Sequence, residues 1–156
     1  MRQRFRFEKL TAWQEARKLK QKIYRATKSF PREEMFALTG QVRRAATSVS
    51  CNIAEGSGRN SDRDFAHFLE QAYGSLMETA SLLFLAFDEM YLSETEVDSL
   101  LESADQLAGR IVSLNRSLAV NGSKTPFPRS TTRGTGPVRL STLDSRLSTS
   151  GRNARR

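Results

Sequence analysis

Gln41-Val42-Arg43-Arg44-Ala45-Ala46-Thr47-Ser48-Val49-Ser50-Cys51-Asn52-Ile53-Ala54-Glu55-Gly56 decides the fold. At about 100° per residue, Leu38, Val42, Ala45, Ala46, Val49 and Ile53 share one arc of a helix, and Gln41, Arg44, Ser48, Asn52 and Glu55 fall within a neighbouring arc of roughly 80°. A solvated helix face is usually built from Lys and Glu. Gln, Arg, Ser, Asn and Glu in one file point instead to groups that hydrogen-bond each other or a partner. Two readings stand: a polar seam between helices or subunits that fixes register, and a ligand-binding or catalytic line. Arg44 and Glu55 are about 16 Å apart along a helix, too far to pair within it. Arg44, Asn52 and Glu55 are therefore expected to bond across helices or subunits.

Outward from this helix, three more amphipathic segments emerge. The first covers about Leu10 to Ser29, with Ala12, Ala16, Leu19, Ile23, Ala26 and Phe30 on one face and Trp13 and Tyr24 at its margin. Phe30-Pro31 ends it, because a residue before proline is pushed out of the helical region. The second helix is expected from about Arg32 to Glu55, closed by Gly56-Ser57-Gly58. Ser61-x-x-Asp64 and Ser93-x-x-Glu96 have the form of capping boxes and start helices near Asp62 and Glu94. The third helix presents Phe65, Phe68, Leu69, Ala72, Leu76, Ala80, Leu83 and Phe87. The fourth repeats Val97, Ala104, Ile111 and Leu118 at heptad spacing. Short loops favour antiparallel neighbours, so the fold class is all-α: an antiparallel up-down-up-down four-helix bundle over residues 1–120. Residues 121–156 are rich in Ser, Thr, Gly, Pro and Arg without periodicity, and a disordered C-terminal tail is expected there.

A family resemblance rests on Phe7-Glu8-Lys9-Leu10-x-x-Trp13-x-x-Ala16, Phe30-Pro31-x-x-Glu34, Gln41-x-Arg43-Arg44-Ala45-Ala46, Asn52-Ile53-Ala54-Glu55-Gly56 and Gly74-Ser75-Leu76-x-Glu78. In this order, over about residues 5 to 118, the chain resembles the small four-helix bundle proteins encoded by 23S rRNA intervening sequences. The resemblance implies a ring-shaped homopentamer. It also implies kinship with accessory proteins of diversity-generating retroelements, which bind nucleic acid and a reverse transcriptase.

Charge is unevenly placed. Residues 1–28 carry ten Lys or Arg against Glu8 and Glu15, residues 29–120 carry seven against fourteen acids, and residues 121–156 carry eight against Asp144. The formal net charge of +8 therefore describes a basic first helix, an acidic remainder of the bundle and a basic tail. Arg17, Lys18, Lys22, Arg25 and Lys28 lie within roughly 140° of arc opposite Leu19 and Ile23. Such a face suits a phosphate backbone, since each contact releases condensed counterions. A solvated face, or an electrostatic partner for the acidic helices, is the competing reading. Phosphate contacts carry no base information and no base-reading motif is present, so RNA or DNA is expected to bind without strong sequence specificity. The tail cations from Lys124 to Arg156 could add to this attraction, or simply be solvated.

Enzyme chemistry finds little footing. A di-iron bundle needs two Glu-x-x-His motifs, and this chain has one histidine, in Asp64-x-x-His67. His67 reads as a partly exposed helix residue, and no nucleophile, base and orienting group share a recognisable spacing. Gly56-Ser57-Gly58-Arg59 lacks the Lys-Ser/Thr ending of a phosphate loop. Cys51, the single cysteine, excludes an intrachain disulfide and reads as a small residue at a packed helix position. Catalytic residues, metal and cofactors are accordingly expected to be none. No apolar run approaches the ~20 residues of a membrane span and no signal-peptide core is visible, so a cytoplasmic location is expected. The leading expectation is a nonenzymatic, oligomeric nucleic-acid-binding accessory protein, and the alternative is an adaptor whose basic face docks an acidic protein.

Overall fold

The computed structural model describes residues 4–121, so the tail expected over 121–156 lies outside the described residues except for Asn121. Four helices account for most of the described chain: α1 (Thr11–Ala26), α2 (Leu38–Ser57), α3 (Asp62–Asp88) and α4 (Glu94–Asn121). Single 3-10 turns at Arg6–Lys9 and Arg32–Met35 precede α1 and α2. Each helix packs against two others in the cycle α1, α2, α3, α4 and back to α1. Contacts run in opposite senses along the pairs. Ser48 meets Ser75 while Gly56 meets Phe65 and Phe68. Lys22 reaches Ser103 while Ala12 shares a groove with Ser113. The architecture is the expected antiparallel up-down-up-down bundle.

Its core is the sum of the stripes read from the sequence. Ala12, Ala16, Leu19 and Ile23 of α1 face Val42, Ala45, Ala46, Val49 and Ile53 of α2, with Phe65, Leu69, Leu76 and Leu83 from α3. Val97, Ala104, Ile111 and Leu118 of the α4 heptad are all buried. Each large aliphatic side chain so buried contributes roughly 1.5–3 kcal/mol. Asn115 interrupts the α4 stripe: it is buried, and neither side-chain polar atom has a partner among the described residues. Such an orphan group costs stability, and a polar residue in an apolar stripe also discriminates against shifted registers.

The helix ends show where local sequence suffices and where it does not. Ser61 caps α3 by accepting the Asp64 N–H at 3.1 Å. At α4 the Ser93 N–H donates to the Glu96 carboxylate at 2.9 Å, and the bonds from Ser93 hold that carboxyl below its ordinary range. The start of α2 differs from the expected Arg32. Arg32–Met35 is a 3-10 turn, and the α-helix begins only at Leu38, whose N–H is capped at 3.0 Å by Oε2 of Glu34. The other oxygen of Glu34 accepts the Tyr91 hydroxyl at 3.4 Å, and the Tyr91 ring packs on Phe30 with centroids 5.4 Å apart. A tertiary tie to the α3–α4 turn thus sets the start of α2 against a sequence that could have extended the helix. That turn is a Schellman motif: Tyr91 N–H bonds Ala86 O, Met90 N–H bonds Phe87 O, and Met90 takes φ 59° where glycine is usual.

The far end of α2 falls within the expected Gly56-Ser57-Gly58 segment, with Gly58 as the C-cap. The helix runs through Gly56 to Ser57, and Gly56 is ordinary helix backbone. Its glycine is required by proximity: a Cβ there would stand 2.6 Å from the Phe68 Cβ and 2.7 Å from Cδ2 of Phe65. A β-carbon and ring carbons leave little room to yield. Gly56→Ala is expected to destabilise the bundle by about 1–3 kcal/mol, as overpacking does, read as a lower denaturation midpoint.

Partial burial, then the Glu34 carboxylate, raise the Tyr91 phenol above its ordinary 10.0. The protonated phenol is the form the fold favours. Its contribution to stability is therefore present below pH 10 and lost as pH rises through the elevated value. Followed by its NMR ring signal, Tyr91 should ionise above 10.0 in the native protein, and Glu34→Gln should lower that midpoint.

Candidate nucleic-acid interface

Arg17, Lys18, Lys22, Arg25 and Lys28 are all exposed, on the side of α1 away from Leu19 and Ile23. The bundle divides them between two edges. On the α4 edge, Lys22 Nζ donates to Ser103 Oγ at 2.8 Å, and Lys22 and Arg25 line a groove that also contains Glu96. Lys18 pairs with Glu15 at 2.9 Å. These cations already have polar or acidic company.

On the α2 edge the balance is different. Arg17, Arg25 and Lys28 join Lys20, Gln21, Tyr24 and Arg43 around a groove of about 600 Å³. Five of its seven lining residues are cationic and none is acidic, so the field inside it is positive and unneutralised. Sequence reasoning missed Lys20 and Arg43 here. Lys20 was visible as the i−4 neighbour of Tyr24. Arg43 belongs to another helix, and only the packing of α1 on α2 brings it in.

Arg43 is the best-fixed of these cations. Its Nε donates to Thr27 Oγ1 at 2.8 Å and its Nη2 to Thr27 O at 3.1 Å, while the Thr27 hydroxyl donates to Ile23 O at 2.8 Å. The guanidinium thereby caps the C-terminus of α1, where the helix dipole favours positive charge. Its Cζ lies 5.0 Å from the Tyr24 ring centroid, and Lys20 Nζ lies 5.1 Å from the same ring. Tyr24 and Arg43 also line a second groove of about 530 Å³ with Gly40, Arg44, Thr47, Ser48 and Cys51. The basic surface therefore continues across Arg43 onto the outer face of α2.

The polar line of α2 borders this second groove. Gln41, Arg44 and Glu55 are exposed, and Ser48 and Asn52 are half-buried. Ser48 makes the cross-helix bond, Oγ to Oγ with Ser75 at 2.9 Å. Asn52 donates to Ser48 at 3.1 Å along its own helix, and Glu55 pairs with Arg59 one turn on, with that guanidinium stacked 4.5 Å over Phe68. Within one chain, then, Ser48 alone of the line bonds across helices among the described residues, while Asn52 and Glu55 bond locally. Cys51 is a further correction: it is exposed, not packed, since it lies nearly opposite Val42 and Ile53 around α2. His67 is exposed on α3, with Gln71 at 3.0 Å. Among the described residues no three His, Cys, Asp or Glu side chains converge as a metal site would require, and no helix is long and apolar enough to cross a membrane.

Residues 8–113 match the 23S rRNA-intervening sequence protein family. The chain belongs to this family. The matched span contains both grooves and every residue of the polar line. A solved structure described as a protein with unknown function from the S23 ribosomal protein family of Bacteroides thetaiotaomicron shares the fold at TM-score 0.63 and 21% identity, covering 68% of this chain and 99% of that one. A comparison with curated proteins finds no match. Two of the motifs that carry the family resemblance hold helix ends in place. Phe7 packs on Trp13 at 4.8 Å, Glu8 accepts the Phe5 N–H at 2.9 Å, and Phe30 and Glu34 meet Tyr91 as described. Arg43 joins the same pattern at the end of α1.

The exposed Cys51 gives this face a reporter. In the native protein it should react with a maleimide at close to the rate measured in denaturant. Strong protection in the assembled protein, lifted on dissociation, would instead place the α2 polar line in a contact between subunits.

Proposed function

We propose that this protein is a nonenzymatic, homo-oligomeric module that binds RNA or DNA along the basic groove between α1 and α2. The carrying observation is the groove itself, with Arg17, Lys20, Arg25, Lys28 and Arg43 around it and no carboxylate among its lining residues. Lysine and arginine in such a groove follow a phosphate chain and release its counterions, giving affinity without base readout. The family's description as 23S rRNA-intervening sequence proteins is consistent with a life beside nucleic acid. In this reading the protein works in the cytoplasm as an accessory, with a reverse transcriptase as a candidate enzyme partner.

Oligomerisation multiplies the effect. A single groove with a handful of cations binds weakly, but copies arranged in a pentamer act on one polyanion at high effective concentration. Exposed Met77, Phe84 and Leu85 lie on one side of α3 and offer apolar surface for such assembly. Docking of an acidic protein on the same cations is the second reading. At the α4 edge Glu96 already offsets Lys22 and Arg25, so an acidic partner would dock on the same α2-edge cations.

Light scattering on a sizing column, with and without a short duplex at two salt concentrations, tests the proposal. A pentamer weighs about 88 kDa, five times the 17.6 kDa chain, and should gain mass with duplex at low salt and lose it at high salt. A ring that ignores RNA and DNA at low salt would turn the reading toward the acidic-protein adaptor. A monomer would remove the multivalency on which affinity depends.

A further inference from the structure

Resting on the nucleic-acid reading above, we infer that Arg43 is a fixed anchor for a single backbone phosphate at the junction of the two grooves, and that geometry, more than charge, sets its contribution. A guanidinium offers five N–H donors. Thr27 takes the inner edge, through Nε and Nη2, and this leaves the outer edge, one N–H from each Nη, to the grooves that Arg43 lines. That edge has the spacing of two phosphate oxygens and accepts them bidentately.

Three observations separate Arg43 from the other cations. It is half-buried and carries a planar fork, whereas Arg17, Arg25 and Lys28 are exposed and the half-buried Lys20 has a single ammonium. Its position is held by two hydrogen bonds and the Tyr24 ring, so little rotamer entropy remains to be lost when an anion binds. It is also shared with Tyr24 by both grooves, so a chain of phosphates crossing from one to the other passes its outer edge. The surrounding lysines supply attraction over a distance, and Arg43 supplies the register. Tyr24 has Lys20 and Arg43 close to its ring and so does not offer an open platform for a stacked base. The ligand chemistry is a phosphodiester backbone, read at one point.

Lysine at position 43 keeps the charge and loses the fork, which makes it the informative variant. Binding of a short DNA duplex to the full-length protein should fall about ten-fold in Arg43→Lys with the salt dependence little changed. Lys28→Gln, which deletes a charge, should cost less affinity while lowering the salt slope by about one. Arg43→Lys binding as tightly as the native protein would reduce Arg43 to one charge among several and overturn the inference while leaving the groove reading intact. Because Arg43 also caps α1, a measurement on the unaltered protein accompanies the variants: titration with inorganic pyrophosphate, followed by arginine side-chain NMR signals. The Arg43 signals should move at lower pyrophosphate concentration than those of Arg17 or Arg25, and the reverse order overturns the anchor. Arg43 answering pyrophosphate in a protein that binds no duplex would uphold the anchor and defeat the nucleic-acid reading. A glutamate peptide that moves Arg43 at lower concentration than pyrophosphate would overturn the phosphate assignment and mark a docking point for an acidic protein.

Discussion

The close approach of α2 to α3 at Gly56 is the constraint from which the rest of the bundle follows. With no Cβ at that position, the end of α2 lies directly against Phe65 and Phe68, and further along the same pair Ser48 bonds Ser75. Two fixed points along one pair of helices set both the separation and the rotation of α2. Once its apolar arc of Val42, Val49 and Ile53 faces inward, Arg43 can only emerge on the α1 side and Ser48 on the α3 side. The basic groove is thus a consequence of how α2 is rolled. A helix turned by one residue's worth of arc would withdraw Arg43 from Thr27.

The charge pattern has a related origin. Cations near the end of α1 and acids in the first turns of α3 and α4 each complement a helix dipole. Antiparallel packing then lays the basic end of α1 beside the acidic start of α4, where Lys22, Arg25 and Glu96 share a groove. No such acid accompanies the α2 edge, where Arg43 adds to the same sign. One helix therefore carries a compensated edge and an uncompensated one, and only the second is lined by cations without an acid.

Amphipathic period and serine caps suffice to place the starts of α3 and α4 and to name most of the core, because those signals are local. Position 34 shows where this fails. Arg32 to Ala37 has the composition of a helix start, but Glu34 serves Leu38 and Tyr91 at once, and the partner more than fifty residues away is invisible to any local rule. Gly56-Ser57-Gly58 does close α2, but the second role of Gly56, admitting two phenylalanines, arises only once α3 is in place. Cys51 was assigned to a packed position although its angle around α2 already opposed Val42, so that error lay in weighting residue type over periodicity. For the interface, the α1 cations were legible as a set. Their division into two edges, and the addition of Lys20 and Arg43, required the neighbours on either side.

Arg43 connects stability to binding. Its inner edge ends α1 and its outer edge faces the grooves, so the hydrogen bonds that stabilise the fold are the same ones that pre-orient the anion contact. A lysine on a flexible stem must be immobilised at each encounter, and that loss subtracts from affinity. A guanidinium already spent on Thr27 has incurred that loss during folding. In the proposed ring this difference would be repeated at each subunit: fixed points at regular intervals would constrain the path of a bound strand, whereas mobile cations alone would only hold it near the surface. On that proposal, the geometry of one helix cap would decide where the strand runs.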